Sequence, residues 1–286
     1  MTKIRSVDRP DADTVADVLA LATAAERADG VYPLSEDVVL RVRNGGGTHL
    51  LAYADDGALA GYAFVDDSGE LVVHPAYRRR GIGSSLLAAA GSGPLSFWAH
   101  GDTAGTFPEK SGFIRARVLW QMRRSLTDFS EMTVMPDGVT LRHFRPGHDE
   151  EAWLAVNARA FAHHPEQGRW TIDDLRLREA EPWFDPAGFL LAVDLEDTLL
   201  GFHWTKVHPA TSDDPAIGEI YVLGIDPGGH RRGLGAALSV AGLQHLAETG
   251  LTQAMLYVDE SNTAAVALYR KLGFEIFKTD VMYARS

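Results

Sequence analysis

The stretch HLLAYADDGALAGYAF at residues 49–64 is echoed, without a gap, by FLLAVDLEDTLLGFHW at residues 189–204. Leu50, Leu51, Ala52, Leu59 and Gly61 fall on Leu190, Leu191, Ala192, Leu199 and Gly201, 140 positions on. Two apolar runs flank a polar turn in each copy, and Asp56-Gly57 is a strong turn pair, so each reads as a β-hairpin. A second echo follows: HPAYRRRGIG at 74–83 and DPGGHRRGLG at 226–235, now 152 apart. The second copy therefore carries about 12 extra residues, and VHPATSDDPAIG at 207–218 is predicted to hold them as a loop. KIRSVDRPDAD and TLRHFRPGHDE open the copies alike, each a short strand before an acidic helix start, and Gly112-Phe113 and Gly273-Phe274 close them. An ordered series of matches marks an internal duplication rather than one large domain. The pattern predicts two tandem α/β (α+β) units, 1–130 and 139–286, divided at TDFSEMTVMPDG, which lacks periodicity.

The length of 286 residues suits two domains. The formal charge of −12 argues against a nucleic-acid partner, whose usual footprint is a basic face. There are no cysteines, hence no thiol nucleophile and no thiolate metal site. No leader-like or membrane-length apolar run is present, so a cytoplasmic location and no membrane partner are the expectation. A monomer is expected.

Against that acidic background the glycine–arginine turn stands out. GEIYVLGI, at 218–225, is a strand by its β-branched and aromatic content. After the turn, Leu234, Leu238 and Ala241 recur at helical spacing until Gly250. The turn thus leads a strand into a helix N-terminus, where first-turn N–H groups lack intrahelical partners and the dipole is positive. Glycines let an anion approach, and Arg231 and Arg232 add charge: a site for phosphate or pyrophosphate. The spacing fits neither the Walker loop nor the dinucleotide fingerprint.

The R-x-x-G-x-G pattern between a strand and a helix resembles the acyl-coenzyme A signature of the GNAT N-acetyltransferase superfamily. Arg78, Arg79, Arg80, Gly81, Ile82 and Gly83 fit it fully, whereas His230 stands at the first position of the second copy. LYVDESNTAAVALYRKLGFE at 256–275 resembles the superfamily's closing block. The resemblance implies units that are each a mixed, mostly antiparallel sheet flanked by helices, with acetyl-CoA as co-substrate and no metal. His163-His164 lacks further ligands at recognisable spacing and reads as structural.

Counting back from the Gly-Phe pairs sets Gly101 and Pro108 of the first copy against Asn262 and Tyr269 of the second. GDTAGTFPEKSGF is also a poor helix, so the second unit is expected to be catalytic and the first not. Transfer to an amine needs a base, a donor to the thioester carbonyl and an acid for the thiolate. Glu219 is the candidate base, and Tyr269 the candidate acid, its ordinary pKa lying near that of a thiol. Strict alternation would place Glu219, Tyr221, Leu223 and Ile225 on one sheet face. The N–H groups of Leu223, Gly224 and Ile225 would meet the carbonyl oxygen, with Gly224 easing the strand distortion this needs.

ARAFAHHPEQGRW (158–170), GFHWTKVHP (201–209), GEIYVLGIDP (218–227) and the tandem layout resemble the mycothiol synthase family of actinobacteria over the whole chain. That resemblance implies acetyl transfer to the cysteinyl amine of a cysteinyl-glucosaminyl-inositol. By motif it implies acetyl-CoA contacts at Leu223, Gly224, Ile225, His230, Arg231, Arg232, Gly233, Leu234, Gly235 and Ala236, and at Asn262, Thr263, Ala264, Ala265, Val266 and Ala267. Leu71, Val72, Val73 and Arg78, Arg79, Arg80, Gly81, Ile82, Gly83 resemble a second such site. Glu36, Glu166, Lys206, Glu219 and Tyr257 resemble substrate contacts. A tandem GNAT acting on another small polar amine, such as an aminoglycoside or polyamine, and a non-catalytic acetyl-CoA sensor are the alternative readings.

Overall fold

The computed structural model describes residues 3–163, 167–211, 214–229 and 233–286. They form two compact units, which do not follow a single cut in the chain. Unit 1 takes Met1–Trp120, Asp259–Ser261 and Lys278–Ser286, and unit 2 takes Gln121–Val258 and Asn262–Phe277.

Unit 1 runs β1 (Lys3–Val7), α1 (Ala12–Asp29), α2 (Glu36–Asn44), β2 (Thr48–Tyr53), β3 (Leu59–Val65), β4 (Gly69–Val73), α3 (Ile82–Ala90), β5 (Leu95–Ala99), the four-residue α4 (Phe107–Lys110) and the start of β6 (Ile114–Ser125). Asp11 caps α1 by accepting from Thr14 N–H, and Ser35 caps α2 by accepting from Val38 N–H, satisfying first-turn donors. Strands β1 to β4 pair antiparallel in order, and β4 and β5 pair parallel. Leu51, Tyr62 and Phe64 pack under α1 and α2, while Leu50, Ala52 and Ala63 meet Ile82 and Leu86 of α3. The period-2 pattern of the hairpin thus feeds two cores.

Unit 2 repeats the plan: β7 (Thr140–His143), α5 (Glu150–Ala160), α6 (Ile172–Glu179), β8 (Phe189–Val193), β9 (Leu199–His208), β10 (Ile217–Ile225), α7 (Leu234–Glu248), β11 (Gln253–Asp259) and α8 (Thr263–Lys271). The last strand, β12 (Glu275–Arg285), begins in unit 2, and its end, Val281–Arg285, pairs antiparallel with β5 in unit 1. Again β7 to β10 are antiparallel and β10 pairs parallel with β11. Phe144, Phe189 and Trp204 stack with ring centroids 4.4 Å apart beneath α5 and α6. Leu223 and Ile225 face the other way, onto Leu234 and Leu238 of α7.

The two hairpins share even their irregularity, a register shift just after Ala52 in one and Ala192 in the other. The extra residues of the second copy do not all lie in a loop. Three lengthen β9, four lengthen β10, and only the remaining five enlarge the connection between them. The predicted loop at 207–218 is therefore largely the tip of a longer hairpin.

Candidate active site

The lengthened hairpin carries Lys206 and Glu219, two of the residues expected in the site. β10 aligns Glu219 with Lys206 of β9, and Ile220 with Thr205, but the next aligned pair is Val222 with Trp204. Tyr221 is the extra residue of a β-bulge, which twists a strand locally and re-aims the side chains beyond it. Strict alternation therefore fails here. Glu219, Tyr221 and Val222 lie on the α5–α6 face with Trp204, whereas Leu223 and Ile225 lie on the α7 face. The distortion sits at Tyr221 and not at Gly224. Gly224 is required for another reason: a Cβ there would meet the Phe202 ring at 2.7 Å and Ala160 at 3.2 Å.

Glu219 is 6 % exposed, and its Oε2 lies 2.6 Å from His208 Nε2. Lys206, also buried, holds its ammonium over the Trp183 ring at 4.5 Å and the Tyr221 ring at 5.2 Å. Buried Arg178 lies over Trp170 at 3.9 Å and donates from Nε to the Tyr221 hydroxyl at 2.8 Å. Charged groups on aromatic faces are held without full hydration. This carboxylate is therefore flanked by an imidazole and an ammonium on a rigid, largely aromatic floor. The register pairs Met255 with Glu219, which places Tyr257, two residues on, on the same sheet face. Gln121 Nε2 donates to the Tyr257 hydroxyl at 2.7 Å. His208, Arg178, Trp170 and Trp183 escaped sequence reasoning. Only His208 left a signal, alternating with Lys206 in HWTKVH.

The parallel register of β10 and β11 runs from Gly218–Ala254 to Ile220–Leu256, and among the described residues β10 continues to Ile225 on β9 alone. Its outer edge between Val222 and Ile225 is thus available to an extended ligand. A 3-10 turn at Pro227–Gly229 follows, then Gly233, whose φ of 85° only glycine adopts readily, opens α7 without a side-chain cap. Leu234 is buried beneath it, and among the described residues a Cβ on Gly235 would touch only Ile225, at 3.9 Å. First-turn donors with no side-chain cap among those residues fit a pyrophosphate. His230, Arg231, Arg232 and Glu166 lie outside the described residues.

Asn262 caps α8, accepting from Ala265 N–H at 3.2 Å, and Thr263 through Ala267 form the first turns behind it. Tyr269 packs edge-on against Phe274 at 5.8 Å, and burial pushes its hydroxyl up to about 12. The match to a thiol is therefore less close than ordinary values suggest. Burial raises a neighbouring thiolate in the same direction, which narrows the gap again.

Unit 1 keeps the turn but occupies it differently. Leu71 to Val73 end β4, a 3-10 turn covers Pro75–Tyr77, and Gly81, with φ 80°, opens α3 ahead of buried Ile82. Arg78 grips Asp29 through two bonds of 2.7 and 2.6 Å and donates to Val73 C=O. Arg79 holds a left-handed φ of 63°, and Arg80 lies over Tyr77. A Cβ on Gly83 would meet the Phe107 ring at 3.1 Å. Glu36 is the first residue of α2. Below, buried Glu70 accepts from Ser35 N–H and bonds His100 Nε2 at 3.0 Å, while His100 Nδ1 meets Asp280 at 3.1 Å. Burial alone would lower His100, but the Glu70 charge and the Asp280 bond outweigh it and raise the imidazole to about 10.

Among the described residues no group of three or more His, Cys, Asp or Glu could hold a metal ion, and no helix is long and apolar enough to cross a membrane.

A bulged central strand, a splayed parallel neighbour and a glycine turn into a helix N-terminus define a GNAT acyltransferase fold. Residues 150–274 match the Acetyltransferase (GNAT) family and residues 45–115 an Acetyltransferase (GNAT) domain. A tandem GNAT protein from the clavulanic acid biosynthesis pathway superposes with a TM-score of 0.73 at 18% identity, covering 100% of this chain and 98% of its own. A GCN5-related N-acetyltransferase from Sphaerobacter thermophilus gives 0.66 at 25% identity, covering 99% and 95%. The mycothiol acetyltransferase of Salinispora arenicola is 54% identical, covering 99% of this chain and 97% of its own, and that of Thermobispora bispora is 55% identical, covering 94% and 95%. The chain belongs to the mycothiol acetyltransferase family, as a tandem GNAT enzyme that uses acetyl-CoA.

Proposed function

We propose that the protein transfers the acetyl group of acetyl-CoA to the cysteinyl amine of a cysteinyl-glucosaminyl-inositol, the last step in making mycothiol. The whole-length identity to mycothiol acetyltransferases is the observation that carries this reading. Residues 139–286 are the catalytic domain in this reading, and 1–130 a domain that binds acetyl-CoA without turning it over. Gly101 and Pro108 in place of Asn262 and Tyr269, and an α4 of only four residues, support that division.

The acceptor arrives as an ammonium, which has no lone pair. Glu219 takes its proton, and the freed amine attacks the thioester carbon. Backbone N–H groups among Leu223, Gly224 and Ile225 donate to the oxygen as it gains charge. The C–S bond breaks, Tyr269 protonates the sulfur, and the nitrogen's second proton restores the phenol. One proton leaves overall. Lys206 and Tyr257, on Glu219's face of the sheet, hold the acceptor's hydroxyl groups. Glu36 and Glu166 are assigned to the acceptor by likeness alone. The turn from His230 to Ala236 and the start of α8 at Asn262 to Ala267 hold the coenzyme, and Leu71 to Val73 with Arg78 to Gly83 hold the unproductive one.

The test is acceptor choice. Purified protein with acetyl-CoA should acetylate the cysteinyl pseudodisaccharide in preference to a panel of aminoglycosides and polyamines. Faster turnover of another amine would replace the substrate assignment, and coenzyme binding without turnover of any amine would replace the enzyme reading with a sensor.

A further inference from the structure

The proposed base does not stand alone: it is bonded to a more exposed ring. Glu219's side chain is 8% exposed, while the His208 ring bonded to it is 32% exposed. A carboxylate free to rotate would reach the amine poorly, since reaction needs the pair held near attack geometry. The bond to His208 answers that need: it ties down Oε2 and leaves Oε1 for the amine. Among the described residues that face also carries Lys206 beside His208 on β9, Tyr221 on β10, Tyr257 on β11, and Arg178 of α6 on Tyr221.

We propose that His208 is a positioning residue for Glu219. Its Nε2–H donates to Oε2 and holds the carboxylate so that Oε1 takes the ammonium's proton before the amine attacks. This rests on the reading of Glu219 as the base.

The experiment compares kcat and KM of His208→Leu, His208→Gln and Glu219→Gln, with acetyl-CoA affinity and thermal melting as controls for the fold. His208→Leu should lower kcat by about tenfold to a hundredfold with KM little changed, because the carboxylate is no longer held. His208→Gln still donates and should recover most of that loss. A wild-type kcat in His208→Leu overturns the positioning role, and so does a folded His208→Gln no faster than His208→Leu. If His208→Leu does not fold, a wild-type kcat in folded His208→Ala overturns it instead. Should Glu219→Gln keep the wild-type kcat, the base reading falls and this proposal with it. Should Glu219→Gln lose turnover while His208→Leu matches wild type, the base reading stands and His208 is excluded.

Discussion

Set side by side, β3–β4 and β9–β10 are one hairpin at two lengths. Aligned through Leu59 and Leu199 at one end and Val73 and Ile225 at the other, the longer hairpin adds Lys206 to His208 on one strand and Ile217 to Ile220 on its partner. Lys206, His208 and Glu219 all lie on that addition. The part held in common builds the sheet and the phosphate turn, and the extension brings the ionisable groups. Where unit 2 has gained a carboxylate bonded to a partly exposed imidazole, unit 1 has closed its own into the Glu70–His100–Asp280 chain. The contrast extends to the turns. Unit 1 ties its turn to the first long helix by Arg78 on Asp29, and unit 2 does so with the polarity reversed, by Arg159 on Asp226. In unit 1 the clamp therefore consumes an arginine of the glycine turn; in unit 2 it consumes an aspartate. A duplicated scaffold can keep its fold while its two copies pair their charges differently.

The largest effect should come from Tyr269, the proposed acid, which has no counterpart in unit 1. Tyr269→Phe is expected to lower kcat by roughly 10²–10⁴-fold, the usual worth of a general acid, with acetyl-CoA affinity little changed in calorimetry. An unchanged rate would erase the catalytic difference between the units. Next, His100→Leu leaves Glu70 and Asp280 buried around an apolar group, and removing one partner of a buried ion pair costs about 3–5 kcal/mol. Thermal unfolding should show a large loss of stability, with turnover per folded molecule preserved. A full loss of turnover in folded protein would mean that unit 1 contributes directly to catalysis.

A smaller effect separates the two turns. Gly235→Glu sets a carboxylate before the uncapped N-terminus of α7 and should weaken acetyl-CoA binding about tenfold to a hundredfold in turnover assays. Gly83→Glu should leave turnover intact, since its neighbour Phe107 is 37% exposed and can give way. Equal losses would show that both sites serve the reaction. The mildest test is pH. Folding raises His100 from 6.5 to about 10, so its contribution is complete below pH 6.5 and is lost as pH rises through about 10. Melting temperature should fall over that window in the wild type and much less in His100→Leu.

Much of this was legible in the residues. Gly61 and Gly201, the paired leucines and the two R-R-G-x-G turns carried the duplication, because hairpins and helix starts rest on local patterns of apolar spacing and glycine. Gly250 just past α7 was read the same way. The shared face proposed for Glu219, Tyr221, Leu223 and Ile225 failed because a bulge at Tyr221 inserts one residue into a period of two, and no residue type announces it. Gly224 was assigned to that distortion, when in fact it makes room for Phe202.

The sequence alone determined what repeats locally: two hairpins, two glycine turns, and which copy lost its Asn and Tyr. Tertiary structure decided what depends on residues far apart in the chain. His208 meets Glu219 only because a strand folds back with a definite register, and Asp280 joins Glu70 and His100 only because the chain's last strand returns to β5. The physical reason is range. Apolar spacing and backbone preference act over a few residues and are written in order along the chain. Register, burial and the pairing of charges depend on which strands become neighbours, and that is settled only when the whole core closes.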